Sequence, residues 1–96
     1  MRDVDNVTVR GWLVYILECG DGTLYTGITI DLRRRLSAHQ RGVASKYTRA
    51  RLPVRVIYQE GHRTRSSALR REAVIKALPH RAKLRLILAP PTSSPP

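Results

Sequence analysis

Residues Trp12 to Cys19 read Trp-Leu-Val-Tyr-Ile-Leu-Glu-Cys, an aromatic and β-branched run of the kind that forms a strand. Gly20-Asp21-Gly22 follows as a turn, and Thr23 to Ile28 reads as a second strand. Two such runs joined by a tight turn close an antiparallel β-hairpin. The length of the turn then decides which side chains share a face. With a three-residue loop, Cys19 faces Thr23, Leu17 faces Tyr25 and Tyr15 faces Gly27. Tyr15 and Tyr25 then project from one face, because side chains alternate along a strand. Gly27 would leave a gap opposite Tyr15 where a ligand could approach the sheet. A two-residue Asp-Gly turn instead sends the two tyrosines to opposite faces. The sequence leaves both parities open.

Beyond the hairpin, Thr29 or Asp31 can cap a helix by offering an acceptor to its free backbone N–H groups. Leu32, Leu36 and His39 fall on one face of that helix, and Gly42 can end it. Residues 43–53 read as a basic loop closing at Pro53. Val54 to Glu60 alternates as a third strand. Thr64 or Ser66 can cap a longer helix that Pro79 stops after Leu78, and a short helix follows from about Arg81 to Leu88. The order ββαβαα predicts an α/β (α+β) sandwich, a three-stranded antiparallel sheet flanked by helices. The domain is expected over residues 11–88. Residues 1–10 and the Pro/Ser tail at 89–96 are expected to be disordered, since proline removes the amide donor that helices and inner strands need.

Ninety-six residues hold one domain. Its composition is ordinary except for charge: 18 Lys+Arg against 7 Asp+Glu, a formal net +11 at pH 7. That excess points to a polyanionic partner, nucleic acid or an anionic membrane. No apolar run reaches the roughly 18–20 residues that cross a bilayer, which favours nucleic acid. The N-terminus carries Asp3 and Asp5 and no apolar core of a secretory signal. The single cysteine, Cys19, excludes an internal disulfide framework and argues against a disulfide-linked partner. His39, His62 and His80 match no zinc spacing. A reducing, cytoplasmic setting is expected.

Three constellations go beyond folding. Tyr15 and Tyr25 are the first. Arg35 and His39 are the second: four residues apart, they share a helix face, with Arg33 and Arg34 turned further to solvent. Glu72 is the third. At about 100° per residue, Ala68, Leu69, Ala73 and Ile75 make an apolar arc with Glu72 inside it. A carboxylate there needs a partner. That partner is either Lys76, one helical turn on, or a metal ion such as Mg²⁺, which accepts a lone carboxylate supplemented by water and phosphate oxygens. The loop Lys46-Tyr47-Thr48-Arg49 combines cations, a hydroxyl and an aromatic ring, a mixture suited to phosphates and bases; alternatively Tyr47 covers the core.

The ordered set Val14-Tyr15-Ile16, Tyr25-Thr26-Gly27, Asp31-Leu32-x-x-Arg35-Leu36-x-x-His39 and Glu72 resembles the GIY-YIG nuclease superfamily. The Lys46 to Arg49 loop and the helix around Leu69 to Lys76 resemble its small, stand-alone bacterial members. The resemblance implies a metal-dependent endonuclease that hydrolyses phosphodiester bonds of DNA, or of RNA, with little sequence specificity and with Mg²⁺ or Mn²⁺ as cofactor. By that resemblance Tyr15, Tyr25, Arg35, His39 and Glu72 are the catalytic residues, with Glu72 as metal ligand. Tyr15 takes a proton from the attacking water, Tyr25 positions that water and Arg35 braces the phosphate. Gly27, Lys46, Tyr47, Thr48 and Arg49 are the expected nucleic-acid contacts. Two departures stand out. The first motif reads Leu-Val-Tyr in place of Gly-Ile-Tyr, and no asparagine follows Asn6, although several catalytic members carry a late one. The competing readings are a catalytically weak nucleic-acid-binding module of the same fold and a small basic interaction protein.

Overall fold

A computed structural model describes residues 11–89. Of the segments expected to be disordered, residues 1–10 and 90–96 lie outside the described residues, and Ala89 forms the C-cap of the last helix. The chain forms β1 (Trp12–Cys19), β2 (Leu24–Thr29), α1 (Leu32–Gln40), α2 (Lys46–Arg49), β3 (Val54–His62), α3 (Arg65–Ala77) and α4 (His80–Leu88). The three strands pair antiparallel in the order β2-β1-β3. The architecture is the expected three-stranded antiparallel sheet with helices.

The hairpin turn adopts the three-residue form. Asp21 Oδ1 accepts from the Thr23 N–H at 3.1 Å and from the Thr23 hydroxyl at 2.6 Å. Gly22 sits at φ +85°, a left-handed conformation that only glycine adopts freely. The Cys19 N–H donates to the Thr23 carbonyl, closing the ladder. Tyr15 therefore pairs with Gly27, and Leu17 with Tyr25.

Asp31 caps α1 by accepting from the Arg34 N–H, and Thr64 caps α3 by accepting from the Ser67 N–H. Two features correct the sequence reading. The stretch 43–53 is not loop throughout, because Ser45 caps the short helix α2 through the Thr48 N–H; at four residues it is too short to show a period. The third strand does not alternate cleanly. Ile16 pairs with Tyr58 but Leu17 pairs with Val56, so Ile57 is an extra residue in a β-bulge. The bulge reverses the alternation, which is how Val54 and Tyr58 are both buried on opposite faces.

The sheet separates two packed layers. On one face Tyr15, Leu17, Cys19 and Val54 pack with Leu32 and Leu36 of α1. On the other, Val14, Ile16 and Tyr58 pack with Ala68 and Ile75 of α3 and with Leu86 and Ile87 of α4. The expected arc on α3 is narrower than the helical wheel suggests. Ala68 and Ile75 are fully buried, whereas Leu69 and Ala73 face solvent.

Candidate active site

The site is built where β1, β2, α1 and α2 meet. Register puts Tyr15 and Tyr25 on one face of the hairpin, with ring centroids 6.4 Å apart. The gap over Gly27 is filled by Tyr15 itself. A Cβ at Gly27 would stand 2.6 Å from the Tyr15 hydroxyl oxygen. Glycine is required there so that the phenol can lie across the neighbouring strand. This corrects the expectation that Gly27 leaves room for a nucleic acid.

One turn of helix apart on α1, Arg35 and His39 both reach that phenol. The Tyr15 hydroxyl and His39 Nε2 are hydrogen-bonded at 2.9 Å. Arg35 Nε–H donates to the Tyr15 oxygen over a longer 3.4 Å. Tyr25 packs edge-on against His39, centroids 5.1 Å apart. Arg33 and Arg34 are exposed, as their position beyond the apolar stripe requires.

Burial dominates the electrostatics. Tyr15 and His39 are both fully enclosed. Burial pushes the Tyr15 phenol above its ordinary range, the Arg35 hydrogen bond pulls it partly back, and the charge of Glu72 adds to the rise. Burial, followed by the Arg35 charge, pushes His39 below the usual imidazole value. The Tyr15 contact in turn raises Arg35. The centre therefore holds a protonated phenol, a neutral imidazole and a fixed cation.

Glu72 is linked to this centre through its field. Its carboxylate is 17 % exposed and lies 3.3 Å from Lys76 Nζ. The pairing with Lys76 that the spacing allows is thus formed, to a side chain that is 55 % exposed. Among the described residues, no three His, Cys, Asp or Glu side chains group as a metal cage. A lone, poorly solvated carboxylate with an exposed and displaceable counter-ion fits Mg²⁺, which retains waters and takes further oxygens from a phosphate.

The Lys46 to Arg49 loop divides in two. Lys46 and Arg49 are exposed and border a shallow hollow with Gly42, Val43, Ala44 and Ser45. Thr48 turns inward. It is fully buried, 2.8 Å from His39 Nδ1, so it is not a surface contact for nucleic acid. Tyr47 spends its ring on the protein. It stacks on Tyr25 at 6.0 Å, and the Arg51 guanidinium lies 3.8 Å over its centroid. Arg51 also pairs with Asp21 of the hairpin turn at 3.2 Å and donates to the Tyr47 carbonyl at 2.9 Å. Sequence reasoning passed over Arg51 because nothing local marks it. Ser45 is a residue type that can cap a helix, but the cap fixes only the Thr48 backbone N–H and leaves the direction of the Thr48 side chain to tertiary packing.

A second polar cluster, also missed, lies on the opposite face. Glu60 accepts from the Tyr58 hydroxyl at 2.5 Å and from Arg71 Nε at 2.8 Å, and it meets His62 Nε2 at 2.8 Å. His62 Nδ1 is 2.6 Å from the Ser67 hydroxyl. Burial alone would raise Glu60, but hydrogen bonds from Arg71, Tyr58 and His62 outweigh it and hold the carboxyl below its usual range. Tyr58 is pushed up to about 12 by burial and by the Glu60 carboxylate.

Residues 11–85 match the GIY-YIG catalytic domain family. A UPF0213 protein of Streptococcus agalactiae is 51% identical over 74 residues, covering 77% of this chain and 84% of that protein. A UPF0213 protein of Streptococcus sanguinis is 53% identical over 74 residues, covering 77% and 85%. The solution NMR structure of a UPF0213 protein from Bacillus halodurans superposes with a TM-score of 0.55 at 40% identity, covering 82% of this chain and 84% of that one. With its motif tyrosines, arginine and histidine gathered at one centre, the chain belongs to the GIY-YIG catalytic domain family, among the small bacterial UPF0213 proteins.

Proposed function

We propose that this protein is a metal-dependent endonuclease, acting in the cytoplasm on phosphodiester bonds of DNA with little sequence specificity. The observation that carries the reading is the Tyr15 hydroxyl, held between a cation and a neutral imidazole. Arg35 Nε–H can only donate, so it occupies a lone pair of the phenol oxygen. The phenol proton is then free to point at His39 Nε2.

Hydrolysis needs a base for the attacking water. Tyr15 gives its proton to His39 and accepts one from that water, while the water oxygen bonds to phosphorus and the ester oxygen departs. Arg35 sits beside the phenol, and its planar fork suits phosphate oxygens. Because Tyr15 is enclosed in the free protein, Arg35 must swing from the phenol toward the phosphate for substrate to reach it. Tyr25, packed on His39, orients the water. Glu72 would hold the metal ion, whose contribution is Lewis-acid stabilisation of phosphate charge. Lys46 and Arg49, exposed beside the hollow at α2, hold the nucleic-acid backbone.

Two observations favour the second reading, a binding module with weak catalysis: the complete enclosure of Tyr15 and the Lys76 partner on Glu72. One assay separates them. Purified protein is incubated with supercoiled plasmid in Mg²⁺ or in chelator. Metal-dependent nicking that Tyr15→Phe and Glu72→Ala both abolish supports the nuclease. Salt-sensitive DNA binding with no nicking under Mg²⁺ or Mn²⁺ leaves the binding module.

A further inference from the structure

His39 makes a second hydrogen bond that the reaction above does not use, and it is as enclosed as the first. Nδ1 lies 2.8 Å from the Thr48 hydroxyl oxygen. That hydroxyl lies 3.1 Å from the Ser45 hydroxyl and 3.5 Å from the Ser45 carbonyl oxygen. His39 and Thr48 are both at 0 % exposure, so bulk solvent reaches neither. Ser45 itself is held by the cap of α2, where its hydroxyl accepts from the Thr48 N–H at 3.1 Å.

The protons in this chain can be placed by counting donors and acceptors. A neutral imidazole has one N–H and one bare nitrogen. Suppose first that Nε2 carries the proton. Nε2–H and Arg35 Nε–H then both donate to the Tyr15 oxygen. The phenol proton is left without an acceptor among the described residues, and a buried unpaired donor is costly. Suppose instead that Nδ1 carries it. Arg35 donates to Tyr15, Tyr15 donates to bare Nε2, Nδ1–H donates to Thr48, and Thr48 donates to Ser45. Every buried proton then has an acceptor. Which ring nitrogen is protonated is set by the hydrogen bond that the other one makes.

We infer that Thr48, backed by Ser45, is a positioning residue that holds His39 as the Nδ1–H tautomer with Nε2 bare toward Tyr15. This rests on the nuclease reading only for its catalytic consequence. The tautomer is a property of the free protein. The sequence Ser45-x-x-Thr48 thus does two things at once: the Ser45 hydroxyl caps α2 through the Thr48 N–H, and the Thr48 hydroxyl orients the histidine of α1.

The test reads the tautomer directly. Long-range proton–nitrogen NMR correlation on ¹⁵N-labelled protein distinguishes a protonated from a bare ring nitrogen. In the native protein above pH 7, His39 should show Nδ1 protonated and Nε2 bare. Thr48→Val keeps the shape and removes the acceptor, so the Nδ1–H form should give way to Nε2–H or to a mixture. Thr48→Ser keeps the hydroxyl and should keep the native tautomer. Plasmid nicking, measured alongside, should fall about 100-fold in kcat with little change in KM for Thr48→Val, and Thr48→Ser should restore it. Native His39 found as Nε2–H overturns the inference whether or not any variant folds. So does an unchanged Nδ1–H signal in folded Thr48→Val. If the native protein nicks nothing, the nuclease reading fails while the NMR result still decides the role of Thr48.

Discussion

Each face of the sheet gathers a tyrosine, a histidine and an arginine around one group, the Glu60 carboxylate on one face and the Tyr15 hydroxyl on the other. Around Tyr58, Glu60 accepts from the phenol and from Arg71 and meets His62, so the charges are paired within hydrogen-bond distance. Around Tyr15, no carboxylate among the described residues makes a hydrogen bond. Arg35 meets a phenol instead, and Glu72 acts on the phenol only through its field. The first arrangement is closed: β3 is fastened to α3 by hydrogen bonds that converge on one carboxylate. Among the described residues, the second holds a cation with no ion-pair partner, beside two groups that burial keeps neutral. A site of that kind can take an anion, because its positive charge is not already neutralised. The same three residue types therefore make a fastening on one face and a candidate reaction centre on the other.

The largest effect should come from exchanging the histidines' roles for an inert amide. His39→Gln is expected to lower plasmid nicking by about 100-fold, the scale of a lost general base. His62→Gln should leave nicking within about twofold of native and show its effect in thermal melts instead. Equal loss of nicking in both variants would erase the distinction between the faces.

Next in size is the carboxylate itself. Glu60→Gln keeps the shape but removes the charge that Arg71 and Tyr58 address. Hydrogen bonds to charged groups contribute about 1.5–3 kcal/mol, so urea titration should show a loss of about 2 kcal/mol. Nicking per folded molecule should not change.

Acid should separate the faces by pH. His39 has a folded pKa below its unfolded value, so the unfolded chain binds more protons between the two. Stability contributed by neutral His39 is complete above about pH 6.5 and is lost as pH falls through the folded value. Glu60 is also depressed, so its contribution is complete above about pH 4.5 and is lost at lower pH. Melts from pH 7.5 to pH 3 should show two declines. His39→Gln should remove the upper one and Glu60→Gln the lower.

The smallest effect concerns the exposed cations. Lys46→Ala together with Arg49→Ala should flatten the dependence of log K for duplex DNA on log salt by up to about 1.8, from about 0.9 per phosphate contact. An unchanged slope would take the nucleic-acid path away from α2.

How much of this could be read from the sequence depends on whether the cause is local. The strand β1 has the boundaries its residue types dictate, and the Asp31 and Thr64 caps are local hydrogen bonds made within three residues. Short α2 escaped because four residues carry no period, and the bulge at Ile57 escaped because it arises from pairing with β1 and not from β3 alone. Within the candidate site, Tyr15, Tyr25, Arg35 and His39 were legible as a spaced set and do meet. The roles of Gly27 and Thr48 were not, because both depend on which way a distant side chain lies.

By itself, the sequence determined every element but α2, along with the net charge, and it singled out the four residues of the centre through local spacing and the resemblance they carry. Only the tertiary structure decided that the Gly-Asp-Gly loop has three residues, which puts both tyrosines on one face. It alone decided that Thr48 points inward at His39 and that Glu60, not Glu72, is the saturated carboxylate. The physical reason is that a hydrogen bond between residues far apart in the chain has no local signature. It forms where packing brings a donor and an acceptor together out of water, and only the assembled sheet and helices fix that meeting point.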